Sequence, residues 1–223
     1  MPTVVVVAAL VVAFIPGWVR AMRFPQPQIA KTIMAGIGAL AIFAAWHGAV
    51  YVVYVAALAI FAAFMGEMVR KDGRENLLGQ VSGTYLGSLV VCSAALWVSV
   101  MRFDGLGIIW MIAVMMLFGS LGRYAAKTGR TLSRGASARW ALPVWLTACA
   151  LVGGICLIMT IEPTSNPAPY VWAACIALSF GVSASLADLA AKDVSSRSVA
   201  VSLAVLPHCV LGAIGYASLL IVQ

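Results

Sequence analysis

Carboxylates are scarce in this chain, so each one is informative. Only seven of its 223 residues are Asp or Glu. Glu67 and Asp188 stand out because each closes a long apolar run on its C-terminal side. On insertion scales, a carboxylate at the centre of a membrane span costs about 2.5–3.5 kcal/mol, and less near an end. Two arrangements follow. In one, each is an interfacial carboxylate neutralised by a nearby Lys. In the other, the two face a shared cavity, where carboxyls in different environments divide the roles of proton donor and proton acceptor. Both open the same short pattern, since Glu67 precedes Lys71-Asp72 and Asp188 precedes Lys192-Asp193 at equal spacing. The match is compatible with an internal duplication in parallel orientation.

Other candidates fall into place around them. His208 follows Pro207 near the middle of the last apolar run, where an imidazole faces the interior of a bundle. Proton transfer and hydrogen-bonded packing are its two readings. Arg123, Lys127, Arg130 and Arg134 recur every three or four residues and share one helical face. That face serves topology alone or holds anionic lipid headgroups. The five cysteines lie inside apolar runs with no C-x-x-C pair, as small apolar residues do. No metal or other cofactor is implied. Phosphate-loop, nucleophile-elbow and zinc-protease motifs are absent.

The elements that position these residues are membrane spans. The chain is 63% apolar and 9% charged, against about 25% charged in soluble domains. Apolar runs of about 20 residues match the bilayer, and backbone groups in lipid must be satisfied within the segment, which selects helices. Spans are read at 3–19, 31–46, 50–66, 78–101, 106–122, 141–161, 169–188 and 199–221. The fold class is an all-α polytopic transmembrane bundle of about eight spans, and residues 1–223 form a single integral membrane domain. Pro25-Gln26-Pro27 separates the first two spans, and Trp46-His47-Gly48 turns between the second and third.

The formal charge of +7 has a topological cause rather than a nucleic-acid one. Every Lys and Arg except Arg102 falls in an odd-numbered loop. Cytoplasmic loops retain basic residues, so the odd loops are cytoplasmic and both termini lie outside, in a plasma (inner) membrane. Trp18, Trp140 and Trp145 then lie near the inner interface, and Trp46, Trp97, Trp110 and Trp172 near the outer. The first span lacks a basic leader and is expected to be retained. Gly36-Ile37-Gly38 and Gly153-Gly154 sit in spans and allow close helix packing.

With the spans placed, the chain resembles the YhhN family of lysoplasmalogenase-like membrane proteins from about residue 31 to 223. The matching positions are Lys31-Thr32 opening the second span and Gly66-Glu67 closing the third. Gly79-Gln80-Val81-Ser82 lies in the fourth, with Pro143-Val144 and Met159 in the sixth. Ala177, Phe180 and Ser183-Ala184 lie in the seventh, and Gln223 follows the last. The family's Gly-Asp is Gly-Glu here, and its Ser-Asp is Ser183-Ala184. Asp188 lies four residues beyond Ala184 on the same helical face, and Gly87 falls near the place of a family His.

The resemblance implies hydrolysis of the vinyl-ether bond of lysophospholipids, with membrane lipids as partners and no nucleic acid. Glu67 and Asp188 would be the acid–base pair. Lys31 would hold the substrate phosphate or a carboxylate, joined by Arg123, Lys127 and Arg130 at the membrane surface. A diverged member that binds or moves lipid is the alternative. A third reading is an enzyme similar to phosphatidate cytidylyltransferases, on the acidic–basic stretch Ser185 to Arg197.

Overall fold

The computed structural model describes residues 2–69, 76–101, 114–115, 117–119, 121, 147–155, 158, 170, 173–182 and 196–222. Among these, every regular element is an α-helix. They are α1 (Pro2–Ala21), α2 (Pro27–His47), α3 (Ala49–Met68), α4 (Leu77–Val100), α5 (Ala173–Val182) and α6 (Arg197–Val222). Residues 147–155 and the described residues of 114–121 are also helical. Five helices are long and apolar enough to cross a membrane: α1 to α4 and α6. Five of the spans read from sequence are thus recovered as helices of crossing length. The spans at 106–122, 141–161 and 169–188 lie partly or largely outside the described residues.

Local chemistry explains the helix ends. Pro27 occupies the first turn of α2, where its missing N–H costs nothing and its fixed φ suits a helix. The span therefore begins four residues before the run at 31–46. Arg23, in the link from α1 to α2, adopts a left-handed conformation with φ 51°, which lets the chain reverse within a few residues. Between α2 and α3 the connection is Gly48 alone, whose N–H donates to the Ala44 carbonyl at 2.8 Å. Asn76 is left-handed, φ 53°, where α4 begins.

α4 is the centre of the described bundle. It packs against α1, α2, α3 and α6 and is the most buried of the five long helices, whereas α3 is the least. Small residues make this possible. Gly83, Gly87, Ser88, Ala94 and Ala95 are all buried and let neighbouring backbones come close. A Cβ on Gly87 would press on Met34 and on the Trp18 indole. Gly38 is set tightly against Val91 and Val11, and Gly153 and Gly154 against Phe118, Met115 and Ala173. Gly36 has nothing near it, so only three of the four span glycines singled out from sequence are packing positions.

Hydrogen bonds between helices supplement this packing. Ser202 Oγ on α6 donates to the Phe14 carbonyl on α1 at 2.7 Å. Ser99 Oγ on α4 donates to Ala45 on α2 at 2.9 Å. Ser93 Oγ donates to the Val210 carbonyl at 2.9 Å and accepts from the Ala213 N–H at 3.0 Å. Two tryptophans read as lying near the interfaces turn toward the bundle. Trp18 is buried and donates to the Gly83 carbonyl at 3.0 Å, and half-buried Trp97 donates to the His208 carbonyl at 2.9 Å. A buried indole N–H needs an acceptor, and a helix carbonyl on the facing backbone provides one.

Candidate functional site

Among the described residues, the cations lie at one end of the bundle. The C-termini of α1 and α3 meet the N-termini of α2, α4 and α6 there, as the contacts Trp18 to Gly83, Gly66 to Ile29 and Arg20 to Ser198 show. Arg20, Arg23, Lys31 and Arg197 all belong to this end. The described part of the charge pattern thus gathers its cations on one side of the bundle.

Glu67 is built into this end. It is the one acidic residue among the described residues, and it is buried, with 4% of its surface exposed. It lies in the last turn of α3, a helix packed against α2 and α4. The residue before it explains the burial. Gly66 sits against Ile33 and Ile29 of α2, so closely that a Cβ would collide with the Ile33 side chain. That contact draws the end of α3 onto α2 and turns Glu67 inward. Lys31 is half-buried in the first turns of α2, between those two isoleucines in sequence. The structure therefore brings Lys31 and Glu67 to the same end on neighbouring helices.

Gln80 is a residue that sequence reading underrated. It is almost wholly buried at the start of α4, with 1% exposed. Its amide faces the link between α1 and α2. The Gln26 N–H donates to Oε1 and Nε2 donates to the Gln26 carbonyl, both at 3.4 Å. Thr84 and Ser88 continue the line inward at four-residue spacing, both buried, and Ser88 Oγ donates to the Thr84 carbonyl at 2.8 Å. Glu67, Gln80, Thr84 and Ser88 are four of the six buried polar or charged residues described. The i, i+4, i+8 spacing of Gln80, Thr84 and Ser88 was the available signal, hidden by their ordinary appearance in a Gly- and Ser-rich helix.

Across the same end, Arg20 reaches from α1 to the start of α6. Its Nη1 donates to Ser198 Oγ at 2.8 Å and to Ser196 Oγ at 3.4 Å. His208 lies deeper, next to Pro207 within the continuous helix α6. Its ring is half-buried, with Nδ1 buried. The polar atom that anchors this residue is its carbonyl, through Trp97.

Asp188, Arg123, Lys127, Arg130 and Arg134 lie outside the described residues, as do Lys71-Asp72 and Lys192-Asp193. Cys92 and Cys209 are buried, Cys149 is half-buried and Cys175 is exposed, all as free thiols. Among the described residues, no group of three His, Cys, Asp or Glu could hold a metal ion.

Compared with known proteins, the chain matches no family model, no curated protein and no solved structure.

Proposed function

We propose that the chain is a multi-pass membrane protein acting on lysophospholipids at its basic end, as a vinyl-ether hydrolase of the lysoplasmalogenase type. Glu67 is the proton donor in this reading. The observation that carries it is the burial of this carboxyl in an otherwise apolar helix, at the end of the bundle that also holds Lys31 and the buried amide of Gln80. An apolar span tolerates a buried carboxyl where the group has work to do.

The reaction needs few parts. The carboxyl gives its proton to the alkene carbon β to the ether oxygen, leaving an oxocarbenium ion. Water adds to that ion and loses a proton to a base, for which Asp188 is the candidate. The hemiacetal then collapses to a fatty aldehyde and the glycerol alcohol. Lys31 would balance the substrate phosphate at the membrane surface.

The test is aldehyde release from lysoplasmenyl-ethanolamine by detergent-purified protein. Wild type should release aldehyde, and Glu67→Gln should be slower by about 100-fold or more, the scale of a lost general acid. A folded wild type that releases none, across several lysolipids, removes the hydrolase reading. The second reading, lipid binding without turnover, then stands. It is favoured by Ala184, which occupies the place of a family carboxylate.

A further inference from the structure

The end of the bundle opposite Glu67 carries a different site. Tyr51 lies in the first turn of α3 and Glu67 in the last, sixteen residues apart, so they are separated by about 24 Å along the helix. Beside the Gly48 turn, α2 and α3 line an open groove of about 550 Å³, within the range of small-molecule sites. Phe43, His47, Tyr51 and Tyr54 form its aromatic lining, and Leu40 and Val55 are among its aliphatic residues.

We propose that this groove binds a phospholipid with an ammonium headgroup, drawn from the leaflet that surrounds the Gly48 turn. Three observations support it. First, the lining is rich in rings and holds no Lys, Arg, Asp or Glu. The faces of aromatic rings attract cations, and a desolvated ammonium gains most from them. An anionic headgroup finds no counter-charge there. Second, the lining is graded. His47 and Tyr51 flank the turn, while Leu40 lies two turns below His47, about 10 Å deeper. A phospholipid changes from headgroup to acyl chain over a comparable depth. Tyrosine hydroxyls in the upper part can donate to the phosphate. Third, the rings are reachable. Phe43 is 64% exposed, Tyr51 53% and Tyr54 68%. Phe43 and His47 are already paired, with centroids 4.6 Å apart and planes at 60°, so one wall of the groove is in place.

Native mass spectrometry of the full chain in mild detergent tests this, with dioleoyl-phosphatidylcholine and dioleoyl-phosphatidylglycerol supplied in equal amounts. The expected result is a preference of about fivefold for the choline lipid, the scale of one cation–π contact. Tyr51→Ala with Tyr54→Ala should bring the ratio close to one, whereas Tyr51→Phe with Tyr54→Phe keeps the rings and the preference. Should the alanine pair fail to fold, His47→Ala and Phe43→Ala, each alone, are expected to weaken the preference. Equal retention of both lipids by wild type overturns the proposal, as does a preference that the ring-removing variants leave unmoved. A wild-type dimer that those variants dissociate also overturns it and gives the groove to a second copy of the chain.

Discussion

At the scale of single residues, two glycines make opposite demands. Gly17 of α1 faces α6, and a Cβ there would meet the Ser198 carbonyl and the Ser202 side chain. The obstruction is partly backbone, which cannot swing aside. Gly17→Ala should therefore lower stability by about 1–3 kcal/mol, the usual cost of overpacking. Gly36→Ala, on a helix of the same kind, meets nothing within 4 Å. It should be neutral or slightly stabilising, because alanine has the better helix propensity. Thermal unfolding of the two variants in one detergent reads the difference, and equal losses would contradict the close α1–α6 approach. The sequence alone does not separate these glycines, since both sit in apolar runs.

Glu67 and Gln80 belong to the same scale. Glu67 was legible because a carboxyl at the end of a long apolar run is conspicuous. Gln80 was not, because an amide at a helix start is common and its value lies in a partner 54 residues away.

At the scale of elements, α3 and α4 show how differently two apolar helices are used. α3 exposes Phe61, Phe64 and Met65 and buries Ala59 and Ala63. Its large side chains face outward and its small ones face the bundle, the arrangement expected where lipid surrounds the helix. Phe61→Leu should shift stability by no more than about 0.5 kcal/mol. Ala63→Leu should cost about 1–3 kcal/mol by overpacking against the bundle. Chemical or thermal unfolding of these two variants checks which face is buried. α4 is tied to its neighbours by polar side chains as well as by small ones. Trp97→Phe removes the bond to the His208 carbonyl and should cost roughly 0.6–1.7 kcal/mol, the range for single hydrogen bonds between spans. A double-mutant cycle with Ser93→Ala would show whether the Trp97 bond and the two that Ser93 makes with α6 act together.

At the scale of the whole molecule, the described cations gather at one end, away from the Gly48 turn. On the positive-inside rule, Arg23 is expected on the cytoplasmic side and Gly48 on the other. In a cysteine-free background, Gly48→Cys should react with a membrane-impermeant maleimide in intact cells. Arg23→Cys should react only after the membrane is opened. The reverse pattern would invert the orientation and place Glu67 outside.

The bundle class was legible from composition, because water cannot accommodate so many apolar side chains and lipid forces the backbone into helices. Five of the spans emerged with their ends shifted by a few residues, chiefly where Pro27 starts a helix before the apolar run does. Hydropathy did not reveal which faces turn inward. Lipid tails are as apolar as leucine, so a span gains little by hiding one apolar face rather than another. Close contacts of small residues and hydrogen bonds to partners far along the chain make that choice, and neither is written in a local pattern. The tertiary structure therefore decided that α4 is central, that Trp18 and Trp97 point inward, and that Glu67 and Gln80 are buried at the end they share with Lys31.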